Sequence, residues 1–200
     1  MKVLVACEFS GIVRDAFAAR GHDTMSCDIL PTERPGWHWQ GNVLDVLGDG
    51  WDLMVAHPPC TYLTNAGVRH LHSVPSRNGV LAKVHGEARF EAMREAAAFF
   101  LALRNAPISR IAVENPTPHH YAREIIGPYD QAYQPWWFGH GETKRTCLWL
   151  KNLPPLLATD IVEGREARIH RMSPGPERWR SRSRTLTGIA EAMASQWGSL

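Results

Sequence analysis

Short continuous apolar runs alternate along this chain with stretches whose apolar residues recur at helical spacing. Residues 3–6 are apolar throughout, as in a short strand buried on both faces, and Ser10-Gly11 marks the turn after it. Over 12–20 the apolar positions Ile12, Val13, Ala16 and Phe17 predict a helix that Gly21 stops. Residues 23–29 predict a second strand with Asp28 near its end. A loop carrying prolines and tryptophans follows over 31–40, and then Gly41-Asn42-Val43-Leu44-Asp45. Residues 52–56 form a further apolar strand, stopped by His57-Pro58-Pro59.

Over 61–84 periodicity fades into Asn, Gly, Ser, Pro and His, the composition of a long functional loop. Residues 87–104 restore an amphipathic helix, with Phe90, Met93, Ala97, Phe100 and Leu101 on one stripe. Strands are expected at 111–113, running into Glu114-Asn115-Pro116, and at 147–150 after the turn Phe138-Gly139-His140-Gly141. The stretch 153–176 is irregular and rich in Pro and Arg. Residues 187–197 close the chain with a helix presenting Ile189, Met193 and Trp197. Strands alternating with helices predict an α/β, Rossmann-like, mostly parallel sheet with helices on both faces. The expected division is a catalytic unit over 1–150, an irregular segment over 151–185, and a terminal helix over 186–200 packing back on the first.

Composition narrows the class. Apolar residues make up 44% and charged ones 21%, an ordinary globular balance, in 200 residues that suit one domain. No stretch reaches the roughly 18 apolar residues of a membrane span, and the first residues lack a signal peptide's core and cleavage site. The four cysteines, Cys7, Cys27, Cys60 and Cys147, form no CxxC pair, which fits a reducing compartment better than a disulfide framework or zinc ribbon. The expected location is the cytoplasm. Net charge is only +2, yet seven arginines (165, 168, 171, 178, 180, 182 and 184) fall between 165 and 184 against Glu166 and Glu177. Such a segment can neutralise phosphates, and on charge alone a solvated tail fits equally well. The His119-His120 and His70/His72 pairs lack the spacing of a helical zinc site, so no metal is expected.

In an open α/β sheet, ligands bind beyond the carboxyl ends of the strands. The tips predicted here carry Glu8-Phe9-Ser10-Gly11, Asp28, Asp45, His57-Pro58-Pro59-Cys60, Glu114-Asn115-Pro116 and the Lys144-Arg145 region. Two prolines hold the backbone extended and present Cys60 rigidly, where cations or N–H groups can activate its thiol. Taken alone, this pattern also fits a turn with an incidental cysteine. A partly desolvated carboxyl on the neighbouring tip, Glu114, can hold a proton near neutral pH. Together, thiol and acid can flank one pyrimidine: the thiolate adds at C6 while the acid supports the charge that develops toward N3. His57 can tune the thiol or simply line the rim, and Trp37, Trp39, Trp136 and Trp137 are candidates for stacking a base, with core or lid packing expected for at least two of them.

With these residues in their order, the chain resembles the DNA cytosine-5 methyltransferases, especially short phage-type members. The resemblance implies S-adenosylmethionine as donor and a class I methyltransferase fold. Phe9, Ser10 and Gly11 would meet its methionine part, Asp28 its ribose, Asp45 its adenine amino group, and Pro58 the turn beside it. It implies Cys60 as nucleophile, Glu114 as the acid, and Lys144 or Arg145 as the basic residue on the target base. Residues 186–197 look like the family's last motif. Val13 and Arg14 stand where the family usually has two further glycines. A separate recognition domain is missing, since 151–185 is too short to fold alone. DNA, double- or single-stranded, is then the expected partner, with low intrinsic sequence specificity or help from a specificity-conferring protein. A free pyrimidine nucleotide as substrate, and a non-catalytic donor- or DNA-binding role, remain open. N-methylation is disfavoured because a thiol follows the prolines.

Overall fold

A computed structural model describes residues 1–73, 75, 79, 82–173, 175 and 177–200. The loop expected over 61–84 lies outside the described residues at 74, 76–78, 80 and 81, and the basic tail at 174 and 176.

Seven strands form one sheet: β1 (Lys2–Ala6), β2 (Asp23–Asp28), β3 (His38–Gln40), β4 (Leu53–Ala56), β5 (Arg110–Pro116), β6 (Gln131–Tyr133) and β7 (Thr146–Lys151). Their order is β3-β2-β1-β4-β5-β7-β6; β1 to β5 pair in parallel, and β7 runs antiparallel to both its neighbours. The helices are α1 (Ile12–Ala18), α2 (Glu87–Arg104), α3 (His120–Ile126), α4 (Arg168–Arg171), α5 (Arg178–Ser183) and α6 (Thr187–Trp197). This is the α/β, Rossmann-like, mostly parallel sheet with helices on both faces expected from the sequence.

Alternation along the strands builds two cores. Leu4, Ala6, Met54 and Val113 face α2 and α3, where Met93, Phe100 and Leu103 pack. Val3, Val5, Val55 and Ala112 face α1 and α6, where Val13, Phe17, Met193 and Trp197 close the layer. Burial on both faces is why β1 and β4 show no polar alternation in sequence. On α2 the stripe continues through Leu103 rather than Leu101, which lies nearer the helix edge.

Several elements depart from the expectation. The 31–40 loop ends in β3, an edge strand of three residues whose Trp39 is half exposed, so no burial pattern announces it. Within 61–84, Asn65–His72 is a 3-10 helix seated by Leu71. The helices α3 and α5 and the strand β6 also escape the periodicity, each too short to develop one.

Register sets the functional rim. Ala6 pairs with Cys27 and Ala56, and Ala56 with Val113. The next residues, Cys7, Asp28, His57 and Glu114, therefore stand at one level. Because β7 runs backwards, with Thr146 opposite Pro116, the residues before it arrive at the same rim.

Candidate active site

Ala56 and Val113 point toward α2, so His57 and Glu114, one residue on, both turn to the opposite side. There His57 Nδ1 and Glu114 Oε2 lie 3.1 Å apart, each side chain 11% exposed. Tyr133 on β6, buried beneath, presents its hydroxyl to Glu114. Burial alone would push the Glu114 carboxyl up. The hydrogen bond from His57, the charges of His57 and Lys144, and the Tyr133 hydroxyl outweigh it and hold the group at about 2. Burial likewise works against the imidazolium of His57. The bond to Glu114, its charge and that of Glu8 overcome burial and the opposing Lys144, so His57 keeps its proton above its ordinary range. The expectation that Glu114 rests as a neutral acid is thus corrected: a histidine within hydrogen-bond reach makes the carboxylate the favoured form. His57 Nε2 is buried and meets no hydrogen-bond partner among the described residues.

Cys60 follows the two prolines and is partly buried. Burial raises its thiol above the ordinary value; the Lys144 charge, the residue's own N–H and Arg182 offset this in part, while Glu114 adds to it. The charges of Lys144, Glu114 and Arg182 thus all bear on this thiol. Burial raises the other three thiols as well. Burial and Asp28 push Cys7 far above the thiol range, burial and Asp28 hold Cys27 at about 11, and burial raises Cys147 at the β7 core.

Alternation also sorts the two basic candidates. Lys144 shares the parity of Leu148, which pairs with Glu114, and its Nζ donates to the Arg182 carbonyl at 3.1 Å. Arg145 turns the other way, donating to the Tyr129 hydroxyl at 2.9 Å and lying over that ring. Of the pair, Lys144 carries the charge that bears more strongly on the Cys60 thiol.

Toward β2, Glu8 is buried and its carboxylate accepts from the N–H groups of Val13 and Arg14 and from the Ser10 hydroxyl, fixing the turn into α1. Gly11 has φ +72°, and a Cβ there would stand 2.6 Å from an Arg14 guanidinium nitrogen, so the position holds only glycine comfortably. Val13 belongs to the core, and the buried Arg14 donates to Ser26, Thr32, Asp15 and the carbonyls of Arg34 and Pro35. The residues replacing the glycines thus tie α1 to the 31–36 loop. Asp28 at the β2 tip accepts from Leu30 N–H, and burial raises its carboxyl. Asp45 ends a 3-10 turn capped by Asn42 and lines, with Trp37, Trp39 and Trp51, a groove of about 490 Å³ on the α2 side of the sheet.

Sequence reasoning missed α5. It lies across the rim, with Trp179 and Arg180 against the buried Phe9 ring at 6.1 and 5.6 Å. Arg184 grips Glu33 through two bonds of 2.8 and 2.6 Å, and Arg180 approaches the same carboxylate. Arg168 pairs with Glu142, and Arg165 covers Trp136. The basic segment is therefore partly spent on the protein's own surface, and only an exposed charge run, not a packing pattern, was visible in sequence. The candidate stacking tryptophans lie elsewhere: Trp39 is on β3, three strands and roughly 14 Å from β4. Trp136 and Trp137 form the turn after β6.

His119 caps α3, and His72 and His120 pack on Tyr121. Among the described residues no group of three or more His, Cys, Asp or Glu side chains is gathered to hold a metal. No helix among them is long and apolar enough to cross a membrane.

No protein-family model matches the chain, and no curated protein does. Among solved structures it is similar to one described as a DNA modification methyltransferase encoded within an Escherichia coli prophage, at 14% identity and a TM-score of 0.46. That likeness covers 87% of this chain and 55% of the other. It is similar also to the Dnmt2 methyltransferase of S. pombe (12% identity, 84% and 53% covered, TM-score 0.44). The methyltransferase EhMeth of Entamoeba histolytica gives 12% identity, 83% and 57% covered, and a TM-score of 0.46. The chain spans just over half the length of each of these three proteins.

Proposed function

We propose that the chain transfers a methyl group, or a related group on the same sulfonium, from S-adenosylmethionine to C5 of cytosine in DNA through a covalent Cys60–C6 adduct. The observation that carries this reading is that the charges of Lys144, before β7, and Glu114, on β5, both bear on the Cys60 thiol beyond β4. That set suits attack on a flat ring: a nucleophile, a hydrogen-bonding group for the ring nitrogen, and a cation that favours the thiolate.

The donor end fits as well. A half-buried carboxylate at the β2 tip, a buried aromatic at Phe9 and a positive-φ glycine at the β1 turn suit a nucleoside with a small polar tail. Phe9, Ser10, Gly11, Asp28, Asp45 and Pro58 would hold S-adenosylmethionine, which when bound supplies an electrophilic methyl group. The chain's own residues do the rest. As sulfur bonds to C6, the C5=C6 electrons move into the ring, and Glu114, once it carries a proton, donates to N3 and supports the charge there. C5 then takes the group and loses its proton, and the returning double bond expels the thiolate. In duplex DNA the base must first be flipped to reach Cys60, with arginines of the 165–184 segment free to meet phosphates.

One observation favours a second reading, C5 modification of a free pyrimidine nucleotide. The segment standing where a recognition domain would be is drawn down on the rim by Glu33 and Lys144 instead of projecting from it. The test is mass spectrometry of nucleosides after exposing double-stranded DNA, single-stranded DNA and dCMP to the protein with labelled S-adenosylmethionine. Labelled 5-methylcytosine in DNA, absent with Cys60→Ala, is expected. Label on dCMP alone selects the second reading, and no labelled pyrimidine on any substrate overturns both.

A further inference from the structure

We propose that His57 is the proton source of this site: when a flat base covers the rim, the proton on Nδ1 passes to Glu114 Oε2, and the carboxyl meets the ring as a neutral acid. This rests on the pyrimidine-modifying reading above and adds a residue to it.

Nδ1 and Oε2 are 3.1 Å apart, so one short transfer interchanges the ion pair and the neutral pair. Both side chains are largely buried, and burial is the strongest single influence on each, disfavouring charge on both. In the open rim the mutual attraction of the two charges wins. A base laid over them removes water that remains and adds no charge, so the balance moves toward imidazole and carboxylic acid.

The surroundings are closely balanced around that exchange. Glu114 faces His57 from β5, Glu8 from the β1 turn and Lys144 from before β7, while Tyr133 backs Glu114 from β6. Cys60 and Arg182 of α5 complete the charged neighbourhood. Glu8 favours the imidazolium and Lys144 opposes it. No distant acid is required.

The step balances. The Nδ1–H bond breaks and an Oε2–H bond forms, with the pair neutral overall before and after. As sulfur bonds to C6 and the ring electrons move toward N3, the carboxyl donates its hydrogen bond there. When the thiolate departs, the electron pair returns to sulfur and the proton to His57. Because the proton travels with the pair, the acid is available well above the pH at which an isolated carboxyl would keep it.

The test uses the full chain labelled with ¹⁵N-histidine, the His57 ring being assigned with His57→Asn, together with single-turnover adduct formation on DNA containing 5-fluorocytosine and S-adenosylmethionine. In the free protein both ring nitrogens should be protonated at pH 6.5, and Glu114→Gln should lower the midpoint of that titration. In the trapped adduct the ring should be neutral. His57→Asn should slow adduct formation at pH 7.5 at least tenfold and regain rate as pH falls toward 5, where solvent protonates Glu114. Wild-type rate and pH profile in His57→Asn, or a doubly protonated ring in the trapped adduct, would overturn the proposal while leaving the pyrimidine reading intact. Absence of any adduct with the wild type would overturn both. Should His57→Asn not fold, the wild-type adduct and Glu114→Gln spectra decide alone.

Discussion

Replacing Glu114 by Gln keeps its volume and removes the charge that His57 faces, so the ion pair has a stability signature separate from catalysis. Holding the carboxyl at about 2 rather than the ordinary 4.5 corresponds to about 3 kcal/mol, at about 1.4 kcal/mol for each tenfold change in affinity for the proton. With both side chains 11% exposed, solvent screens this little. The sign follows from the direction of each change. A depressed carboxylate stabilises above pH 4.5, and that contribution is lost as pH falls through about 2. A raised histidine stabilises below 6.5, and that part is lost as pH rises through its elevated value. The two describe one interaction and are not added; it is fully present between about pH 4.5 and 6.5. Urea unfolding of wild type and Glu114→Gln, followed by tryptophan fluorescence from pH 2.5 to 8.5, measures it. The gap should be about 3 kcal/mol near pH 5.5, shrink steeply toward the acid end, and narrow as pH rises through the elevated value of His57. A gap constant across that range would refute the ion pair as its origin.

Other consequences lie on neighbouring elements. Lys144→Met should raise the thiol's pKa and slow its alkylation by iodoacetamide at pH 7.5 several-fold, while Arg145→Met, on the opposite side of β7, should cost far less. Glu33→Gln removes the anchor of Arg184 and Arg180, an interaction open enough to be worth only about 1 kcal/mol, and tryptic cleavage within 178–184 should speed up roughly five-fold. Arg14→Met breaks a buried set of charged hydrogen bonds; the chain should lose about 3–5 kcal/mol in urea unfolding.

How much of this could be read from sequence depended on burial. The strands β1 and β4 and the helices α2 and α6 are legible because each hides enough apolar surface to impose a run or a period. The strands β3 and β6 and the helix α5 are not, because they are three to six residues long and held by edges, aromatic contacts and ion pairs. The tip residues were locatable for a similar reason. Once the apolar cores of β4 and β5 are placed, Cys60 follows the first and Glu114 continues the second. The protonation of Glu114 was beyond reach, because it depends on a side chain 57 positions away that only the β4–β5 register brings within 3.1 Å. The choice between Lys144 and Arg145 likewise needed the reversed direction of β7.

The proposed reaction requires the thiol at position 60 to bond to a pyrimidine held against the carboxyl at position 114. Denaturing electrophoresis of the protein incubated with S-adenosylmethionine and a 5-fluorocytosine oligonucleotide, followed by peptide mapping, tests it most directly. A stable protein–DNA band whose linkage maps to Cys60, and which vanishes in Cys60→Ala, is the expected result. A linkage at Cys7, Cys27 or Cys147, or no band with the wild type, would contradict it.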